Sequence, residues 1–234
     1  MPRANPQPLA IDRPTADLTS SRSRVSPVTY VGLFIALFGM LIVREVVSYF
    51  HSEATFDAVL VREAAMWLVA AAILVIVRLG EGLPFSSVGL TAAHLLKSFL
   101  WALLLAVACF VVAGVFVAVT HFNGGKNAEA LAKLPVWLIT AIVIRAGVAE
   151  ELCYRGYAIE RLHALGLPRG LAAAVPLLIF AIGHWTGGWL NILLALLLGA
   201  ILAAFYLWRR DLAANMIGHT LVDFIPNVLP RVLR

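Results

Sequence analysis

The chain has 234 residues, of which 62% are hydrophobic and 13% are charged, whereas soluble domains are about one quarter charged. Its net charge of +5 does not indicate a nucleic-acid partner, because the basic residues cluster between apolar runs, as membrane topology requires. The two cysteines define no disulfide framework. The composition excludes an ordinary soluble domain and predicts a multi-pass integral membrane protein in contact with the lipid bilayer.

The first 26 residues differ from the rest of the chain. They are rich in proline and arginine and contain no apolar core, which predicts a disordered tail. No early apolar region or small-residue cleavage pattern precedes the first span, so we do not interpret residues 1–26 as a secretory signal. Residues 27–234 are expected to form a single membrane-embedded domain.

Seven apolar segments follow, and each is interpreted as a helix. They run at about 25–49, 56–77, 98–119, 134–163, 170–185, 189–208 and 212–229. A short or re-entrant helix near 84–96 would raise the number to eight. Arg-Glu neighbours at 44–45 and 62–63 are either interfacial or paired with other helices. We therefore expect an all-α bundle of about 7–8 transmembrane helices with an intramembrane polar cavity.

Loop charges predict the orientation. Most Lys and Arg residues lie in the tail and in the connections near 78–97, 161–169 and 209–210. By the positive-inside rule these segments face the cytoplasm. We expect a bacterial inner-membrane protein with a cytoplasmic N-terminus.

A small set of polar residues remains at membrane depth once the loops are set aside. An ionised side chain at the bilayer centre costs on the order of 2.5–3.5 kcal/mol on insertion scales, so such residues usually face a bundle interior or cavity and serve function. The set consists of Arg145, Glu150, Glu151, Arg155, His184, Asn215, His219 and Asp223.

A depth argument connects the fourth and fifth segments. Pro168 marks the turn between them. Glu151 lies 17 positions before this proline and His184 lies 16 after it, so at 1.5 Å per residue each is roughly 25 Å from the turn. An antiparallel helical hairpin would place the acid and the imidazole at matching depth.

Helical spacing separates the roles of the two adjacent acids. Glu151 and Arg155 are four residues apart and share a face, so they can pair. Glu150 points about 100° away, at 3.6 residues per turn, and is free to act elsewhere. Arg145 lies five residues before Glu150, on a different face, where it is expected to neutralise a carboxylate on another helix.

The last span carries a second polar stripe. His219 and Asp223 are four residues apart, and Asn215 lies one turn earlier. Asp223 is expected to orient His219 by accepting from a ring N–H.

Together these residues suit hydrolysis of an amide without a serine or cysteine nucleophile. Burial, a neighbouring acid and a nearby arginine can together adjust the pKa of one carboxylate so that it acts as a general base. Glu150 with His184 would take a proton from water, while His219 and Asp223 steady the oxyanion. Each piece alone also has a structural interpretation, such as a salt bridge for Glu151–Arg155 or helix packing for the small residues Gly199 and Ala203.

The ordered motifs resemble a known family. Glu150-Glu151-x-x-x-Arg155, Phe180-x-x-x-His184 and His219-x-x-x-Asp223 are similar to the motif series of the CAAX-protease and bacteriocin-processing membrane proteins, also called the Abi family, which includes the type II CAAX prenyl endopeptidases. The resemblance covers roughly residues 134–224.

The resemblance implies an all-helical glutamic intramembrane endopeptidase with a cavity open to the membrane. It implies that Glu150 activates water with help from His184, that Glu151 and Arg155 brace the site, and that His219 and the residue four later form the oxyanion site. That last position is often asparagine in the family and is Asp223 here. An ionised aspartate cannot donate to an oxyanion, so Asp223 is either protonated or orients His219.

Alternatives from other classes stay open. Two histidines and two glutamates can hold zinc, although the H-E-x-x-H spacing is absent. The polar cluster can also belong to a non-catalytic immunity or scaffold protein that binds a peptide. We expect no cofactor or metal, no nucleic-acid partner, and a membrane-associated protein or peptide as substrate, whose identity, like the oligomeric state, the sequence does not indicate.

Overall fold

The computed structural model describes residues 26–51, 55–91 and 95–233. The disordered tail predicted for residues 1–26 therefore lies, except for Ser26, outside the described residues. Within these three ranges the regular secondary structure consists of helices, with no strand. The predicted all-α class is confirmed.

Three long apolar helices come first. Ser26 caps the start of helix α1, and its hydroxyl accepts a hydrogen bond from the amide of Val28. Thr55 caps the start of α2 in the same way, through the amide of Ala58. Such N-caps satisfy amides that have no partner inside the helix. The bounds are α1 Pro27–Phe50, α2 Phe56–Val75 with a π-helical continuation over Ile76–Gly80, and α3 Leu95–Thr120.

The middle of the chain forms one continuous helical segment, 136–164, preceded by the short helix α4 at Gly125–Ala132. It consists of α5 at Val136–Arg145, a π-helix at Ala146–Ile159 and α6 at Glu160–Ala164. We call Ala146–Ile159 the central π-helix. The π-helix bonds residue i to i+5, is rare, and is found frequently at functional sites.

Four more helices complete the fold. They are α7 at Arg169–Ile182, α8 at Trp189–Arg209, α9 at Leu212–Asn227 and α10 at Leu229–Val232, with a 3₁₀ turn at Trp185–Gly187 between α7 and α8. All seven predicted segments coincide with helices to within a few residues. Of the optional helix near 84–96, the described residues 84–91 form only a 3₁₀ turn at Phe85–Val88. The turn ends at Gly89, whose φ of 78° favours glycine.

Length and composition allow four of the described helices to cross a membrane, namely α1, α2 with its continuation, α3 and α8. Their outward faces are apolar, as on α3, where Leu103, Val107, Val111 and Val115 are all exposed. The central π-helix is the opposite case, since Ala149, Glu151 through Ile159 and most of its other residues are buried. It contacts α1, α2, α7 and α9 and forms the axis of the bundle.

One end of this bundle is fixed by polar side chains. Glu81 accepts from Thr29, Tyr157 and Arg161, each at 2.8 Å. Arg210 and Glu160 form a two-pronged pair at 2.7 and 2.8 Å. These contacts join α1, α2, the central segment and the α8–α9 turn. They set the depth and rotation of the helices that carry the polar residues.

Candidate active site

Glu151 is fully buried and is satisfied by three side chains. Its Oε1 accepts from Arg155 Nη1 at 2.7 Å and lies 2.8 Å from His219 Nδ1, and its Oε2 accepts from Asn215 Nδ2 at 3.1 Å. A buried charge needs such partners, because an unpaired one is strongly destabilising. Glu151 thus joins the central π-helix to α9, in addition to the predicted pairing with Arg155.

Arg155 is held on its other side by α7 and α8. Its Nη2 donates to the Gly199 carbonyl at 3.3 Å, and its guanidinium lies 4.3 Å from the centre of the Phe180 ring. A Cβ on Gly199 would be 2.8 Å from Leu177 and 3.1 Å from Arg155 Nη2. Gly199 therefore permits the close packing of α8, as the small-residue interpretation of Gly199 predicts.

Glu150 has a different environment from its neighbour. Its Oε1 accepts from Arg145 Nη1 at 2.7 Å, and Arg145 Nε donates to Glu63 Oε2 at 2.8 Å. Glu63 is buried on α2. The expectation that Arg145 neutralises a carboxylate on another helix agrees with this contact.

The expectation that Arg145 and Glu150 lie on different faces is wrong. It assumed an α-helix, in which residues five apart diverge. The chain becomes π-helical from Ala146, and i to i+5 bonding brings residues five apart close together. As a result Glu150 is paired with Arg145 rather than free of partners.

Glu150 and His184 line the same cavity, which encloses about 170 Å³. The side chain of Glu150 is 15% exposed, whereas that of Glu151 is 0% exposed. The structure therefore brings the candidate base and His184 together, as the depth argument expects. The other lining residues are Met40, Leu41, Arg44, Arg62, Met66, Arg145, Tyr154, Phe180, Gly183 and Thr186.

His184 is oriented by the backbone of its own helix. Its Nδ1 lies 2.8 Å from the Phe180 carbonyl, and Asn191 Nδ2 donates to the His184 carbonyl at 2.9 Å. A ring nitrogen beside a carbonyl must be the N–H donor. The neutral ring then has its acceptor at Nε2.

His219 is oriented mainly by Glu151 and not by Asp223. Its Nδ1 lies 2.8 Å from Glu151 Oε1, while its Nε2 is 3.6 Å from Asp223 Oδ2. That second distance is too long for a hydrogen bond. The predicted orienting contact from Asp223 is therefore replaced by one from the central π-helix, because α9 packs with His219 directed at Glu151.

Phe180 separates the two histidines. Its ring centre lies 4.6 Å from that of His184 and 6.3 Å from that of His219. Tyr154 packs edge-on against it at 5.5 Å. The Phe180 ring therefore contacts both imidazoles and also covers the Arg155 guanidinium, 4.3 Å from its centre.

Sequence reasoning left the partner of Glu63 open and did not place Arg44 or Arg62 at the site. The feature that could have pointed to these residues is the presence of Arg-Glu neighbours within apolar helices. The partners of such residues depend on how the helices are rotated, which the sequence does not show. Among the described residues, no group of three or more His, Cys, Asp or Glu side chains is arranged to hold a metal ion.

These features define an all-helical membrane protein with a buried carboxylate–histidine cluster beside a partly open cavity. Residues 132–225 match the family model described as type II CAAX prenyl endopeptidase Rce1-like. This match confirms the family resemblance expected from the three motifs and supports a membrane protease of the CAAX type in general. Comparisons with curated proteins and with solved structures gave no match.

Proposed function

We propose that the chain is a glutamic-type intramembrane endopeptidase that hydrolyses a peptide bond in a membrane-associated protein or peptide. The observation that carries the proposal is the shared cavity: Glu150 and His184 both line it, while Glu151 is buried and holds His219. Glu150 thus faces a space that can hold water and substrate, whereas Glu151 has a structural role.

Glu150 is the general base in this proposal. Arg145 engages its Oε1, which leaves Oε2 to accept a proton from a water in the cavity. The second hydrogen stays on the water oxygen and forms a hydrogen bond to Nε2 of His184, whose Nδ1 is committed to the Phe180 carbonyl. The water oxygen attacks the scissile carbonyl carbon, and the C=O bond becomes a C–O⁻ single bond.

His219 stabilises that oxyanion. With Nδ1–H donated to Glu151, its Nε2 donates to the oxyanion when the ring is doubly protonated, and Asp223 at 3.6 Å supports the charged ring. Glu150 then gives its proton to the amide nitrogen as the C–N bond breaks. The C=O bond re-forms, and the products are a carboxylic acid and an amine.

Glu151, Arg155 and Asn215 are positioning residues. They contact His219 or its carboxylate partner, and they fix the imidazole without reaching the cavity. Such supporting contacts hold reacting groups in productive geometry.

The test compares membrane proteomes of cells that make the unaltered chain or Glu150→Gln. Glu150→Gln preserves shape but removes the base, so a membrane protein cleaved by the unaltered chain should stay uncut, with a loss of about 100-fold or more in cleavage rate. Glu129→Gln, at an exposed carboxylate on α4, is the matched control and should cleave normally.

Full cleavage by Glu150→Gln in correctly folded protein would exclude this mechanism. A cleavage activity that a chelator abolishes and zinc restores would instead favour the zinc protease. If no membrane protein changes between the two proteomes, the peptide-binding scaffold becomes the better interpretation.

A further inference from the structure

The wall of the cavity carries more cationic than anionic groups. Three guanidinium groups line it, from Arg44, Arg62 and Arg145, together with the single carboxylate of Glu150. Glu45 and Glu63, the acids beside Arg44 and Arg62, do not line it. The cavity surface thus presents more N–H donors than carboxylates, because Glu45 and Glu63 are not part of its lining.

Arg145 is already satisfied, since it holds Glu150 and Glu63 at 2.7 and 2.8 Å. Arg62 is held more weakly. Its Nε and Nη2 both approach one oxygen, Glu63 Oε1, at 3.4 Å. Its side chain is 29% exposed, so the guanidinium retains capacity for another acceptor.

Arg44, which lines the same cavity, is fixed in place. Its Nη1 donates to the Gly183 carbonyl, and its guanidinium lies 5.7 Å from the centre of the Trp185 ring. Its carboxylate partner, Glu45, is 3.1 Å away, but that side chain is 55% exposed. A solvent-exposed ion pair contributes little, so Arg44 is oriented mainly by the α7 end.

We propose that Arg44 and Arg62 form a carboxylate-binding subsite for the substrate of the proposed protease. Guanidinium groups bind carboxylates through paired, charge-assisted hydrogen bonds. A cavity of about 170 Å³ is on the order of 7–10 Å across, which spans about two to three extended residues. The carboxylate is therefore close to the scissile bond, either as a free C-terminus or as an acidic side chain.

This inference concerns residues outside the part of the chain that matches the family model, 132–225. Arg44 lies on α1 and Arg62 on α2. Residues on the first two helices would then determine substrate preference. The central π-helix, the end of α7 and α9 would supply the hydrolytic groups.

A binding experiment tests the subsite with the purified full chain in detergent micelles. The probes are dansyl-trileucine as the free acid, the same peptide as the amide, and an amide in which glutamate replaces the last leucine. We expect the free acid, the glutamate peptide or both to bind about tenfold or more tightly than the neutral amide. The two acidic probes distinguish a C-terminal carboxylate from a side-chain carboxylate.

The Arg44→Gln/Arg62→Gln double variant should bind all three probes equally. Arg78→Gln, which removes an exposed arginine beyond the far end of α2, is the matched control and should keep the preference. Arg44→Lys/Arg62→Lys keeps the charge without the paired donors, and an intermediate preference is expected. Circular dichroism during heating checks that each variant is folded.

Equal binding of all three probes by the unaltered chain would overturn the subsite, as would a preference that survives in the folded glutamine variant. The inference rests on the proposed function, but the two fail separately. Carboxylate preference with Glu150-independent cleavage would remove the proposed mechanism alone. Glu150-dependent cleavage without carboxylate preference would remove the subsite alone.

Discussion

At the scale of single residues, Glu150 and Glu151 show how two adjacent identical side chains acquire different roles. Glu151 is fully enclosed by Arg155, His219 and Asn215. Glu150 reaches the cavity and has one charged partner, Arg145. Burial and partner number, rather than residue type, therefore separate the brace from the candidate base.

Replacing Glu151 with glutamine should mainly reduce stability. The change removes the charge that compensates the buried Arg155, and breaking a buried pair in this way costs about 3–5 kcal/mol. Unfolding in detergent micelles, followed by circular dichroism, measures the change. Glu45→Gln at an exposed position should alter the free energy of unfolding by less than about 0.5 kcal/mol, and a Glu151 variant as stable as that control would contradict the bracing role.

Replacing Glu63 with glutamine should reduce cleavage and should destabilise the protein less than Glu151→Gln, because Arg145 keeps Glu150 as a counter-charge. Glu63 shares Arg145 with Glu150, so its loss leaves Arg145 to act on Glu150 alone and makes that carboxylate a weaker base. We expect a drop in kcat of about tenfold, which is less than the roughly 10²–10⁴-fold contribution of a general base, because Glu150 itself is still present.

The KM of this variant separates positioning from binding. A lower kcat at unchanged KM, with recovery in Glu63→Asp, fits a positioning role for Glu63. An unchanged kcat in Glu63→Gln would show that Arg145 does not link the two acids.

At the scale of helices, the packing of the central π-helix on α9 determines whether the site assembles. Gly147 makes the closest approach: a Cβ there would lie 2.0 Å from Thr220 Oγ1 and 2.9 Å from the Met216 carbonyl. Thr220 directly follows His219 in the chain. The position of the oxyanion histidine therefore depends on the absence of a side chain at residue 147.

Gly147→Ala should displace α9 and reduce both stability and cleavage. Overpacking of this kind costs about 1–3 kcal/mol, and the displaced His219 should lose its contact with Glu151. Gly114→Ala is the matched control, because a Cβ there meets nothing within 4 Å and alanine is favoured in helices by about 1 kcal/mol. Equal cleavage by the two alanine variants would show that the approach at Gly147 is unimportant.

At the scale of the whole molecule, the cavity lies toward one end of the bundle. Arg44 is near the end of α1, Arg62 is near the start of α2, and His184 follows α7. The opposite end carries the Glu81–Arg161 and Glu160–Arg210 contacts. The positive-inside rule predicts that this opposite end is cytoplasmic, so the cavity would lie nearer the external face.

Cysteine labelling tests that orientation. Ser48 and Ser86 are exposed at opposite ends, and the two native cysteines, Cys109 and Cys153, are buried, which lowers background labelling. In intact cells, a membrane-impermeant maleimide should label Ser48→Cys and leave Ser86→Cys unlabelled until the membrane is opened. The reverse pattern would place the cavity nearer the cytoplasm.

The helices themselves were predictable because a membrane leaves the backbone little choice. Without water, each N–H and C=O group must be satisfied within its own segment, so long apolar runs form helices. Local spacing likewise predicted the Glu151–Arg155 pair, since residues four apart share a face. The matching depth of Glu151 and His184 was predicted from the number of residues on either side of Pro168, and Glu150, the neighbour of Glu151, lines the same cavity as His184.

Hydropathy and local spacing along the chain were enough to predict the membrane-helical class, the approximate bounds of seven helices and most of the polar residues of the site. They did not place Arg44, Arg62 or Glu63 there. The pairing of these side chains became visible only in the packed helices: Glu63 pairs with Arg145, Arg145 with Glu150, and His219 with Glu151 rather than Asp223. The physical reason is that helix rotation and the change from α- to π-helical bonding at residue 146 set the direction of each side chain. Both depend on packing between segments far apart in the chain.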